Sequence, residues 1–144
     1  ENLYIYGDGP LRKGLQNLIT KLNLQNRVFL PGSVIDVNVK LSQAKVFVLS
    51  SDYEGMPNAL LEAMAVGVPV VSTDCPCGGP RTVIENETQG LLVQVGDTEK
   101  MADALEKLLQ DSCLRERMSV AEKERAEDFR YDAIMPQWAH YLES

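Results

Sequence analysis

Ser50-Ser51-Asp52-Tyr53-Glu54-Gly55-Met56-Pro57-Asn58-Ala59-Leu60-Leu61-Glu62-Ala63-Met64-Ala65-Val66-Gly67-Val68-Pro69-Val70-Val71 decides the fold of this chain. It reads as a loop, a short helix and a buried strand. Pro57 suits a first helical turn, where its missing N–H would have no partner anyway. Gly67 suits the position just past the helix end, where a left-handed backbone is common. Between them Ala59, Leu60, Leu61, Ala63, Met64, Ala65 and Val66 make a helix that is apolar on every face, and such a helix is expected to be buried. Asn58 and Glu62, four apart, fall on one face of it. A buried carboxylate without a partner is costly, so Glu62 is expected to have one, and a ligand is the candidate. The competing reading is that Glu54 merely favours the helix start and Glu62 pairs with an arginine from elsewhere.

Working outward, apolar runs alternate with helical periods. Residues 2–6 predict a strand, turned by Gly7-Asp8-Gly9-Pro10 into a helix to about Leu22. Val28-Phe29-Leu30 predicts a second strand stopped by Pro31-Gly32, followed by a short helix over 36–42. Val46–Leu49 and Val68–Ser72 are continuous apolar runs of the kind buried on both faces of a parallel sheet. A helical turn over 81–85 and a strand over 91–93 follow. Met101, Leu105, Leu108 and Leu109 give one amphipathic helix, and Leu114, Met118 and Ala121 a weaker one. The tail with Trp138 is expected to pack back on the body. Alternation of strands and helices predicts an α/β domain, a doubly wound parallel sheet with C-terminal helices. Ligands of such sheets sit beyond the carboxyl ends of the strands. The loops expected there are 7–10, 31–36, 50–57 and 74–80.

Composition narrows the function. The 144 residues are enough for one domain with a sizeable core, and the hydrophobic share is 44%. A net charge of −7 argues against a phosphate-tracking nucleic-acid surface. It leaves room for a small anion held by backbone amides. No apolar run is long enough to cross a membrane, and no leader-like segment opens the chain. The chain begins inside a strand, which reads as a piece of something longer. Cys75, Cys77 and Cys113 are an odd set and no disulfide framework, so a reducing, cytoplasmic setting is the reading. A Cys-x-Cys pair without nearby histidine is a weak metal signal. His140, alone of its kind, reads as surface or packing, and the acidic 122–128 run as a solvated helix face.

The loop chemistry gives the two glutamates a geometry. Glu54 stands just before the helix and Glu62 about one turn inside it; Asn58 and Glu62 differ by about 6 Å along the axis. Between the carboxylates lie the free amides of the first turn and the positive end of the helix dipole. An anionic centre with a hydroxyl-rich group at each end fits that layout. A nucleoside diphosphate sugar is such a molecule.

Glu54 and Glu62 form E-x7-E. With Gly55, the Glu62-Ala63-Met64-Ala65 run and Gly67-Val68-Pro69-Val70-Val71, the stretch resembles the C-terminal donor-binding half of family 4 glycosyltransferases of the GT-B fold. The resemblance covers nearly the whole chain. Gly7-Asp8-Gly9-Pro10, Val28-Phe29-Leu30-Pro31-Gly32, Gly78-Gly79-Pro80-Arg81 with Ile84-Glu85, and Gly90-Leu91-Leu92-Val93 stand in the family's order. The resemblance implies transfer of a sugar, with retention, from a nucleotide sugar to a glycan or lipid-linked acceptor. It implies that Glu54 contacts sugar hydroxyls and orients and stabilises, without acting as nucleophile. Glu62 would hold the ribose, and Gly55, Met56, Pro57, Asn58 and Ala59 would meet the sugar and diphosphate, largely through backbone. Gly32, Val34 and Asp36 would line the nucleobase pocket.

No cofactor or metal is implied beyond the nucleotide sugar as substrate. Residues 1–144 would be the donor-binding domain, truncated at its N-terminal side, with the acceptor domain and the basic residues for the diphosphate outside it. Such a chain is expected to bind donor weakly and not to turn over. Peripheral membrane association would belong to the whole enzyme. Met56-Pro57 stands where many members have an aromatic and a glycine, which leaves the donor open; the 74–81 loop is similar to that of members using UDP-N-acetylhexosamine or UDP-hexose. Arg81 reads as a structural salt bridge. A nucleotide-sugar 2-epimerase of the same architecture is the alternative enzyme. The non-enzymatic alternatives are a receiver-like α/β domain, for which Gly7-Asp8-Gly9 and Leu49-Ser50-Ser51 do not supply the acidic residues, and a protein-binding module, which leaves Glu62 unexplained.

Overall fold

The computed structural model describes residues 1–143. The chain divides into two compact units, Glu1–Val37 and the remainder from Asn38. In the first, β1 (Leu3–Tyr6) and β2 (Val28–Gly32) pair in parallel, Leu3 with Val28 and Tyr4 with Phe29. Helix α1 (Arg12–Lys21) connects them. The Tyr4 and Phe29 rings stack at 5.1 Å. Arg12 donates from Nη2 to the Leu30 carbonyl at 2.6 Å, tying the helix start to β2.

The second unit contains α2 (Val37–Ser42, from its second residue), β3 (Phe47–Leu49), α3 (Asn58–Val66), β4 (Val70–Asp74), α4 (Gly79–Val83), β5 (Leu91–Gln94), α5 (Thr98–Gln110), α6 (Ser112–Glu127) and α7 (Tyr131–Glu143). Its parallel sheet has the order β3-β4-β5, so β4 is central. Successive β4 side chains point to opposite faces. Val70 joins one core with Leu60, Ala63 and Met64 of α3 and with Val83 and Ile84. Val71 joins the other with Leu91, Val93, Leu108 of α5 and Met118 of α6. Helices thus cover both faces, as the continuous apolar runs predict. The strands predicted as one sheet are shared between two parallel sheets, one per unit. Leu60 is fully buried. Leu60→Ala is expected to destabilise the second unit by about 2–5 kcal/mol, measured by denaturant unfolding.

Three expectations are overturned, the second of them in part. First, α3 is not buried all round: Leu60, Ala63 and Met64 face the core, while Asn58, Ala59, Glu62 and Ala65 are exposed. Its exposed Ala59 and Ala65 reflect helix preference, since alanine loses no side-chain entropy in a helix. Second, the 122–128 run is a solvated face only in part: Lys123, Glu124, Glu127 and Asp128 are exposed, but the helix also turns inward. Glu122 is fully buried and Ala126 nearly so, while Arg125 lies over the Phe129 ring and pairs with Glu85 at 3.0 Å and Asp128 at 2.9 Å. Third, α7 buries no residue; Trp138 stands 57% exposed, edge-on to Tyr141 at 6.4 Å. Two boundaries also move: β4 starts at Val70 and α4 at Gly79, each two residues from the predicted start.

Candidate functional site

In the second unit the carboxyl ends of β3 and β4 bring two loops together. The first carries Ser51, Glu54 and Gly55, and the second Cys75, Cys77 and Gly78. Thr73, next to the carboxyl end of strand β4, donates its hydroxyl to the Ser51 carbonyl. Cys75 Sγ donates to the same carbonyl at 3.1 Å, and Cys77 Sγ donates to the Glu54 carbonyl. Glu54 is half-buried, and its Oε1 accepts the Ser51 hydroxyl at 2.7 Å. Gly79 closes the arrangement: a Cβ there would lie 2.6 Å from the Glu54 carbonyl oxygen and closer still to that of Gly55. Only a residue without a side chain lets α4 begin against this loop.

Helix α3 starts on the same loop. Pro57 is its cap residue, not the first helical residue, and is buried. No side chain caps the helix start. Leu60 and Leu61 donate to the Pro57 carbonyl at 3.0 and 3.2 Å. The amides of Asn58 and Ala59 therefore have no intrahelical acceptor, and both residues are exposed. Gly67 ends the helix at φ +83°, in the left-handed conformation predicted for it. The predicted residues Glu54, Gly55, Met56, Pro57, Asn58, Ala59 and Glu62 thus follow one another from loop to helix. Glu62 points to solvent, so the premise that it is a buried carboxylate in need of a partner falls. Gly32, Val34 and Asp36 belong to the first unit. Gly32 ends β2 at φ +87° and accepts the Gly7 amide at 2.9 Å, which joins the loops after β1 and β2. Val34 is half-buried and Asp36 exposed.

The buried carboxylate of this fold is Glu122. Its Oε1 accepts the Val70 amide at 2.9 Å, where β4 begins and the ladder to β5 has not yet started. Its Oε2 has no hydrogen-bond partner among the described residues. Burial pushes its carboxyl up to about 8, against the smaller opposing effect of the Val70 hydrogen bond. Arg81 pairs with Asp74 through two of its nitrogens, as expected of a structural salt bridge, and this raises the guanidinium above its ordinary value. Asp97 caps α5 by accepting the Lys100 amide at 3.0 Å, which holds its carboxyl below the usual range. An open cleft of about 530 Å³ beside β5 includes Asp74, Arg81, Lys100, Asp103 and Lys107 but neither Glu54 nor Glu62. Its Arg81 and Lys100 are already paired, with Asp74 and Asp97.

Ser51, Cys77 and Gly79 stand in loops that the sequence places at the sheet edge, and Gly79 in a run of the resemblance, but nothing in the sequence ties them or Thr73 to Glu54. A serine three residues before a loop carboxylate is a weak signal, because most such hydroxyls bond locally to backbone.

The chain has relatives in sequence and in fold. The chain is 34% identical over 170 aligned positions to the glycosyltransferase MJ1059 of Methanocaldococcus jannaschii, covering 98% of this chain and 41% of that protein. It is 38% identical over 117 residues to the lipopolysaccharide core biosynthesis glycosyltransferase LpsE of Rhizobium meliloti, covering 81% of this chain and 34% of that one. Among solved structures, TarM of S. aureus (G117R mutant, in complex with fondaparinux, α-GlcNAc-glycerol and UDP) superposes with a TM-score of 0.91 at 28% identity, over 99% of this chain and 29% of TarM. The chain thus spans less than half the length of each. The α/β fold is that of the Rossmann-like half of GT-B glycosyltransferases. No described helix is long and apolar enough to cross a membrane. The family model for glycosyl transferases group 1 matches residues 2–125, and the chain belongs to that family.

Proposed function

We propose that this chain is the donor-binding part of a retaining, family 4 glycosyltransferase. The enzyme transfers a hexose or N-acetylhexosamine from a UDP-sugar to a glycan or lipid-linked acceptor. The observation that carries the reading is the sequence of groups from Glu54 through the uncapped start of α3 to Glu62: carboxylate, free amides, carboxylate on one exposed edge. UDP in the TarM complex and the polysaccharide role in the name of LpsE support it. Glu54 accepts hydrogen bonds from the sugar hydroxyls. The Asn58 and Ala59 amides, at the positive end of the helix dipole, meet the diphosphate. Glu62 accepts the ribose hydroxyls; Gly32, Val34 and Asp36, within the first unit, are the residues that the family resemblance assigns to the base.

Chemically, Glu54 steadies an oxocarbenium-like transition state by its charge, and the leaving phosphate takes the acceptor's proton. No side chain attacks the sugar and no metal is required. The acceptor, and any contact with a membrane surface, belong to parts of the enzyme outside this chain. The isolated chain binds donor weakly and does not turn over; sugar transfer by the chain alone would overturn that part of the reading. The alternative of a 2-epimerase would appear as donor conversion without acceptor.

Calorimetric or NMR titration with UDP, GDP and their sugars tests the site. Wild type is expected to prefer UDP and its sugars. Glu62→Ala is expected to lose roughly tenfold in affinity for UDP. Because Glu62 is exposed, the same variant is expected to keep its folding stability within about 0.5 kcal/mol. If wild type binds none of these nucleotides and Glu62→Ala changes nothing, the reading is wrong.

A further inference from the structure

Glu54 is held by a support that starts in the sheet. Thr73 is 5% exposed and belongs to the central strand β4. Its hydroxyl bonds to the Ser51 carbonyl, and the Cys75 thiol bonds to the same atom. The Ser51 hydroxyl in turn donates to Glu54 Oε1 at 2.7 Å. From the other side, Cys77 Sγ bonds to the Glu54 carbonyl, and Gly79 packs against the carbonyls of Glu54 and Gly55. A carboxylate at a loop tip otherwise turns among several rotamers. This one has its backbone fixed at residues 51 and 54 and one of its two oxygens engaged.

We infer that Ser51 is a positioning residue for Glu54: its hydroxyl, held in place through its own carbonyl by Thr73 of β4, orients the carboxylate so that one oxygen is committed to the protein and the other is presented outward. A hydrogen bond to a charged acceptor is among the stronger ones and is directional. Ser51 touches no ligand in this scheme; it acts through Glu54. The ligand consequence, discrimination between a nucleotide sugar and the bare nucleotide, rests on the function proposed above. The orientation of Glu54 does not.

The test separates the two. In the ligand-free chain, the side-chain 13Cδ resonance of Glu54 reports its hydrogen bonding directly. It is expected to move in Ser51→Ala, to return toward wild type in Ser51→Thr, which restores a hydroxyl, and to move the same way in Thr73→Val, which removes the hydroxyl anchoring the Ser51 carbonyl. The amide spectrum away from the loop serves as the check on folding. In parallel, each variant is titrated with UDP and with UDP-N-acetylglucosamine. Ser51→Ala is expected to weaken the UDP-sugar by about tenfold while leaving UDP unchanged, with Ser51→Thr restoring it. A Glu54 resonance that does not move in a folded Ser51→Ala chain overturns the positioning role, whatever binds. A resonance that moves while wild type binds neither ligand upholds the positioning of Glu54 and counts against the proposed function instead.

Discussion

Taking the protein from about pH 4.5 to about pH 8 is expected to lower its stability by several kcal/mol, and Glu122→Gln is expected to abolish most of that fall. Glu122 is fully buried, with its carboxyl pushed from an ordinary 4.5 up to about 8. Between those values the unfolded chain has released the proton and the folded chain still holds it. The folded state then binds one more proton than the unfolded state, so stability decreases with rising pH by about 1.4 kcal/mol per unit. Below the unfolded value both forms are protonated and the effect vanishes. Above the folded value both are ionised and the full cost remains. The whole window corresponds to an upper bound of about 5 kcal/mol, a large part of a typical domain's stability. Glutamine keeps an oxygen for the Val70 amide and carries no charge, so its unfolding free energy is expected to be nearly flat over the window and to exceed that of wild type most near pH 8. Glu122→Ala is expected to behave differently: it leaves the Val70 amide without its acceptor and opens a cavity, and is destabilising at low pH as well. Denaturant unfolding of the three proteins at several pH values checks both statements. Equal slopes for wild type and Glu122→Gln would show that Glu122 ionises normally.

Gly79→Ala is expected to be strongly damaging, through the contact that the start of α4 makes with the loop carrying Glu54. The added carbon would collide with the backbone carbonyls of Gly55 and Glu54, which are not flexible side-chain ends that can swing aside. Either α4 backs away from the loop carrying Glu54 or that loop shifts. The first route strains the packing of Val83 and Ile84 in the core and costs roughly 1–3 kcal/mol. The second pulls the Glu54 carbonyl from the Cys77 thiol and moves the carboxylate. The same methyl at Gly55 has nothing within 4 Å to meet. Gly55→Ala is accordingly expected to unfold like wild type, while Gly79→Ala melts at lower temperature and shows shifted amide resonances across residues 51–57. Thermal melts and amide spectra of the pair decide it. Equal melting temperatures and unshifted loop resonances in Gly79→Ala would mean that the loops are not braced through this contact.

These two positions also show what can be read from a chain alone. The alternation of apolar runs with helical periods determined the α/β class, because burial on both faces of a parallel strand demands unbroken hydrophobicity. Gly67 and the Pro57 boundary were legible because backbone conformation leaves few residues to choose from. Glu54 and Glu62 were legible as a spaced pair along one loop and helix. Whether either carboxylate is buried was not, because exposure depends on which face of α3 the sheet covers. The sequence made Glu62 the buried anomaly; packing made it Glu122, which lies 52 residues from the Val70 amide it accepts. The support of Glu54 by Ser51, Thr73, Cys77 and Gly79 was equally out of reach. It arises where two strands end side by side, and contacts between loops that far apart in the chain leave no periodicity behind. The order of groups along α3 was settled by the sequence, whereas the tertiary structure decided which of them are held, which are buried and which face outward.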